Sequence, residues 1–211
     1  MSEKKELLYV FDAYCGWCYG FDELFAPMLA RLPELPLRIL SGGLFTGRRA
    51  QPIKSYGYFR EANVRINRVY GVTFGEAYNR LLESSDEVLD STYPALAFSY
   101  FRQVLPMSKW GEAILGMQRA FYQDGLVLGK AENYRALAEP LGLAADALVE
   151  ALSQRFTEPE LAQAEFAEVR DIGVETFPTF VGLRDDGVVN LISGARTPDD
   201  LIAHVEAFLK D

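Results

Sequence analysis

The sequence predicts an α/β protein in which the two ends of the chain build one small sheet and an all-helical segment is inserted between them. Three observations carry this. Near the start, a continuous apolar run, a helical repeat and a second apolar run follow one another, the order of a right-handed βαβ unit. Near the end, a helical pattern is followed by two β-rich runs and a last helix. Between them, residues 47–156 carry almost no strand signal. The expected division is therefore a discontinuous sheet domain, 1–46 with 157–211, and a helical insert, 47–156.

Leu7-Leu8-Tyr9-Val10-Phe11 has the continuous apolar character of a strand buried on both faces. Phe21, Leu24, Phe25, Met28, Leu29 and Leu32 then recur at helical spacing, with Pro27 placed to kink the helix. Leu37 to Leu40 reads as the second strand. Within the insert, helices are expected near 58–70, 94–105, 108–123, 130–140 and 144–155, and Gly71 to Asp90 is the least readable stretch. Trp110, Ile114, Met117 and Phe121 form one apolar stripe. Thr157-Glu-Pro-Glu160 has the form of a capping box for a helix running to Ile172 and stopping at Gly173. Thr179 to Leu183 and Val188 to Ser193 flank a turn, and Thr197-Pro-Asp-Asp opens the last helix.

With 49% apolar residues, the 211-residue chain can bury a sizeable core. Its net charge of −9 disfavours nucleic acid as a partner. Basic residues nonetheless concentrate at Arg48, Arg49, Lys54, Arg60, Arg65, Arg68 and Arg80, either as a solvated helix face or as a positive rim for an anionic thiol. No stretch approaches the roughly 18 apolar residues of a membrane helix, and the run at 7–11 is short for a signal-peptide core. A cytoplasmic protein, monomeric or homodimeric, is the expectation, unless a leader has been trimmed.

Only two cysteines are present, in Cys15-Gly-Trp-Cys18. A bridge between them would close almost no loop, so it would add little stability. Metal ligation needs more ligands than two cysteines and His204 supply, so no metal is expected. His204 reads as a rim residue of the last helix. Placement at a strand-to-helix junction points instead to redox chemistry. The positive helix end and its unpaired N–H groups favour a thiolate at the first cysteine. An exposed helix end contributes only about 0.3–1 kcal/mol to an anion, so several aligned donors are needed. Cys15 is then the exposed nucleophile and Cys18 the packed, resolving thiol. Gly16 is a spacer that, with Trp17, tunes the redox poise, and Trp17 offers an apolar shelf for a partner.

Phe11-Asp-Ala-Tyr-Cys-Gly-Trp-Cys18, Gly42-Gly43-Leu44, Asp90-Ser91 and Gly173-Val-Glu-Thr-Phe-Pro-Thr-Phe-Val181 together resemble the DsbA-like branch of the thioredoxin superfamily, including the bacterial disulfide isomerases of that branch. The resemblance covers nearly the whole chain. It implies a thioredoxin-like fold with an inserted all-helical domain, and thiol–disulfide exchange with protein substrates. No cofactor is implied beyond the redox-active Cys15–Cys18 pair, with glutathione as a candidate electron donor and partner. It also implies a cis peptide before Pro178, with Thr176, Phe177 and Pro178 forming the substrate-binding loop beside the cysteines. The family's periplasmic oxidants carry a histidine inside the motif, and this chain does not.

Two other readings stay open. One is a glutathione-dependent transferase or isomerase of the kappa or 2-hydroxychromene-2-carboxylate isomerase type, acting on a small apolar molecule through Cys15 alone. The other is a non-enzymatic binding module whose insert presents an aromatic groove from Tyr56, Tyr58, Phe59 and Tyr70.

Overall fold

A computed structural model describes residues 5–210. Four strands form one sheet in the order β2-β1-β3-β4. They are β1 (Glu6–Phe11), β2 (Leu37–Ser41), β3 (Thr179–Arg184) and β4 (Gly187–Asn190). β1 runs parallel to β2, with Leu7 opposite Leu37, and antiparallel to β3, with Leu8 opposite Val181. Helix α1 (Gly16–Arg31) makes the crossover between β1 and β2 and runs unbroken through Pro27.

The apolar run of β1 serves two cores because successive side chains point to opposite faces. Leu7, Tyr9 and Phe11 join a large cluster with Phe21 and Phe25 of α1 and Phe208 of the last helix. Leu8 and Val10 pack against Leu40 and Val169.

Between β2 and β3 lie α2 (Phe59–Tyr70), α3 (Glu76–Ser84), α4 (Thr92–Val104), α5 (Trp110–Tyr122), α6 (Ala138–Leu141), α7 (Ala145–Arg155) and α8 (Pro159–Asp171). The α5 stripe is buried at Ile114, Met117 and Phe121 and packs along α1. Trp110 is half-buried, and its indole N–H donates to the Leu105 carbonyl at 3.1 Å. Arg102 of α4 binds this group of helices to the sheet. It donates to the Ile39 carbonyl and to Glu165 of α8, whose carboxylate also accepts from the Ser41 N–H.

Three local expectations are corrected. The stretch 130–140 is mostly a 3-10 helix, Ala131–Leu137, leading into the short α6. The Thr157 hydroxyl does not cap α8; it donates back to the Gln154 carbonyl at 2.7 Å, satisfying the exposed end of α7. Glu158 holds the N-cap position of α8, with Pro159 at the first turn. β4 ends at Asn190, whose side chain turns the chain by accepting from the Ile192 and Ser193 N–H groups. Helix α3 fills part of the unreadable stretch. By contrast the last helix, α9 (Pro198–Lys210), has a reciprocal capping box. The Asp200 N–H donates to the Thr197 hydroxyl at 3.1 Å, and the Thr197 N–H donates to the Asp200 carboxylate at 2.9 Å. Among the described residues no helix is long and apolar enough to cross a membrane.

Candidate redox site at the start of the first helix

After β1 the chain turns through Asp12, Ala13 and Tyr14, and a buried carboxylate fixes the turn. Asp12 accepts from the Tyr14 N–H at 2.9 Å and the Leu44 N–H at 2.7 Å, while the Cys15 N–H donates to the Asp12 carbonyl at 3.0 Å. Burial raises the Asp12 pKa, and these donors partly offset it. Cys15 is thereby set at the N-cap of α1 with extended backbone, φ −84° and ψ 111°. The N–H groups of the first turn behind it have no intrahelical partner.

Cys18 lies within that first turn and is fully buried. Burial, then a hydrogen bond with Cys15, push its thiol well up. Both thiols are free. The Cys15 thiol donates to the Phe177 carbonyl at 3.5 Å, and the Phe177–Pro178 peptide is cis. The Phe177 ring presses on Gly42, where a Cβ would come within 2.2 Å of it.

The expectation that Cys15 stands in the open is corrected: the residue is only 6% exposed. Beside it α2 packs against α1. The packing runs through two glycines four residues apart. A Cβ on Gly16 would meet the Ile66 methyl at 2.8 Å, and one on Gly20 would meet the Tyr70 ring at 2.4 Å. Gly16 therefore has a packing reason to be glycine, independent of redox tuning.

A cavity of about 110 Å³ remains between α2 and the cysteine, lined by Cys15, Trp17, Phe45, Tyr58, Phe59 and Asn63 among others. Asn63 donates to the Tyr78 hydroxyl at 3.4 Å, and the Tyr122 hydroxyl donates to the Tyr14 carbonyl at 2.6 Å. Among the described residues no Asp, Glu, Lys, Arg or His lines this cavity.

Asp22, one turn beyond Cys18 and wholly buried, accepts from the Tyr9 hydroxyl and from the Gln118 amide at 2.7 Å. Burial pushes its pKa up to about 7, against the pull of those two donors. Its charge in turn raises the Cys18 pKa.

The structure thus gathers Cys15, Gly16, Trp17, Cys18 and Phe177 at one place. Trp17 is 36% exposed, its edge against Tyr70 with ring centres 6.4 Å apart. Thr176 is exposed, and its carbonyl accepts from the Thr179 hydroxyl at 2.7 Å. Pro178 is half-buried. Tyr58 and Phe59 line the cavity, and Tyr56 stacks behind Phe59 at 4.8 Å. His204 lies apart, with Nδ1 3.0 Å from the Leu191 carbonyl. Of the basic run, Lys54, Arg60, Arg65 and Arg80 pair with Asp86, Glu83, Glu61 and Glu76. Such exposed pairs are the mark of a solvated face. Arg48, Arg49 and Arg68 have no carboxylate partner among the described residues. Sequence reasoning missed Phe45, Asn63, Ile66, Tyr78 and Tyr122. The readable signal was the Gly16/Gly20 pair, which marks a face of α1 awaiting close contact. It missed Asp22 too, an acid set one turn after Cys18 on a helix face of large apolar residues.

No family model and no curated protein matches the chain. Solved structures do. A cytosolic disulfide reductase, DsbM from Pseudomonas aeruginosa, is 29% identical with a TM-score of 0.80, over 97% of this chain and 98% of that one. The same reductase with GSH is 28% identical with a TM-score of 0.79, over 98% and 100% of the two chains. A 2-hydroxychromene-2-carboxylate isomerase, 18% identical with a TM-score of 0.58 over 97% and 94%, shares the fold alone. Sheet order, helix start and these matches define a thioredoxin-superfamily protein. Within that superfamily its neighbours are disulfide oxidoreductases of the DsbA-like kind, and the chain is similar to that branch. At the level of class, the relatives support an oxidoreductase.

Proposed function

We propose that the protein is a thiol–disulfide oxidoreductase in which Cys15 attacks and Cys18 resolves. One observation carries this reading: Cys15 caps the first helix against the Phe177 carbonyl, with Cys18 buried beneath it. The Cys15 thiolate attacks a substrate disulfide, forming a mixed disulfide and releasing one substrate thiolate. Cys18 then loses its proton and attacks the Cys15 sulfur. The Cys15–Cys18 disulfide forms, the second substrate thiolate leaves, and the substrate has gained two electrons. A Cys18 thiol held protonated by burial does not compete for the first attack.

Two molecules of a thiol such as glutathione would return those electrons, leaving as their disulfide. The GSH in the DsbM structure supports glutathione as a partner. Protein thiols and disulfides would reach the sulfur as an extended segment along Thr176, Phe177 and Pro178, with Trp17 as a shelf. The cytosolic description of DsbM supports a cytoplasmic setting.

The test is turnover of a disulfide substrate with glutathione. The wild type reduces it, and Cys15→Ser reduces none. Full activity in Cys15→Ser would end the proposal. A second reading, a glutathione-dependent isomerase acting on a small molecule, is favoured by the apolar cavity. That reading requires Cys18→Ser to keep full turnover, whereas exchange requires it to stall as a mixed disulfide.

A further inference from the structure

The cavity over Cys15 has a composition that thiol exchange does not require. Exchange needs a reachable sulfur, a helix end and a second thiol. Here Cys15 lines a narrow space walled by rings and by α2. Tyr58, Phe59, Ala62, Asn63 and Ile66 all come from α2 or the residue before it, and Phe45 from the segment after β2. At about 110 Å³, and with one water needing about 10–15 Å³ by this measure, the space takes a group of a few heavy atoms.

Its polar atoms are already engaged in part. Tyr122 donates to the Tyr14 carbonyl and Asn63 to the Tyr78 hydroxyl. Among the described residues no ionised side chain stands in the wall to compensate an entering charge. A charged group brought there would lose its hydration with no opposite charge beside it, at a cost of several kcal/mol. An uncharged ring or branched chain would trade water for aromatic contact.

We infer that the cavity sets a preference among disulfides: small organic ones whose attacked sulfur carries an uncharged aromatic or branched aliphatic limb are taken faster than cystines held in folded proteins. This deepens the exchange reading and rests on Cys15 being its nucleophile. The limb lies against Phe59 and Ala62 while Cys15 attacks the sulfur that bears it. The other half leaves as a thiolate toward solvent, and Cys18 then releases the limb as its own thiolate. A cystine fixed in a folded protein surface would have to enter between α2 and Cys15 to be attacked there.

The experiment compares two aromatic disulfides that differ in charge, neutral dithiodipyridine and anionic dithiobis(nitrobenzoate), with insulin as a folded-protein disulfide. Rates for the reduced protein are divided by those for dithiothreitol, which removes intrinsic reactivity. The normalised ratio is expected to favour dithiodipyridine by about tenfold or more, the least effect of stranding a charge in an apolar wall. Insulin is expected to be slower than either. Ala62→Lys places a cation on the wall at a half-buried helical position that tolerates lysine. It should shift the ratio toward the anionic reagent by about tenfold. Ala62→Phe, which adds only apolar bulk, should slow dithiodipyridine without favouring the anion. A wild-type ratio equal to that of dithiothreitol, or insulin attacked as fast as dithiodipyridine, would overturn the inference and leave the exchange proposal standing. If Cys15 reacted with none of the three, the exchange proposal itself would fall.

Discussion

The sheet with its flanking helices and the intervening helices α2–α7 treat one sulfur in different ways. The sheet side supplies what the proposed nucleophile needs: a strand end, a turn held by Asp12, a helix N-terminus and the Phe177 carbonyl. The helical side supplies what limits its reach, laying Ile66 and Tyr70 onto Gly16 and Gly20 and walling the cavity with rings. Local sequence sets the strand end, the turn and the helix start, while the Phe177 carbonyl comes from far along the chain. The helical contribution depends on residues about fifty positions away in the chain. Chemistry and selection can thus be altered separately, and each prediction below asks whether they are.

The largest effect should fall on the sheet side. Cys15→Ser is expected to remove exchange altogether while leaving the melting temperature nearly unchanged, because a near-isosteric hydroxyl keeps the N-cap. Residual turnover above a few per cent would assign the chemistry elsewhere. Next comes the tie between the two regions. Arg102→Ala strands the Glu165 carboxylate, which is 10% exposed, and burial already raises its pKa. Removing one partner of such a buried pair costs about 3–5 kcal/mol. For a chain of this size that lowers the melting temperature by roughly 6–20 °C, readable by calorimetry. A shift under a degree would show that the helices hold their place without it.

Gly20→Ala should cost about 1–3 kcal/mol through the clash with the Tyr70 ring. Adding Tyr70→Ala should recover part of the loss, giving a coupling energy in a double-mutant cycle. Additive losses would mean that Gly20 is glycine for another reason. A separate, pH-dependent effect concerns Asp22, whose pKa of about 7 exceeds the unfolded carboxylate value of about 3.9. Between those pH values the folded state binds more protons than the unfolded one, so Asp22 makes stability fall as pH rises from about 4 to about 7. Asp22→Asn should flatten that slope in denaturant titrations. An unchanged slope would assign it to other groups.

Legibility followed the range of the interaction. β1, the Cys-x-x-Cys junction, the β3–β4 hairpin and the Thr197 cap depend on residues within a few positions of each other, and their patterns are visible in the sequence. Helix α3 was obscure because it buries only Tyr78 and has no apolar stripe to read. Thr157 misled because a threonine three residues before a glutamate suits a capping box. The end of α7, two residues upstream, offered its hydroxyl the nearby Gln154 carbonyl. The burial of Cys15 was illegible for a different reason. Nothing near residue 15 reports that α2 will pack beside it, except two glycines whose partners are far along the chain.

The division of labour between the two sulfurs can be measured directly with limiting iodoacetamide at neutral pH, followed by peptide mapping of the reduced protein. The label should fall on Cys15 alone, with Cys18 unmodified until the fold is opened by denaturant. Label shared equally between the two, or found first on Cys18, would contradict the assignment of attacker and resolver.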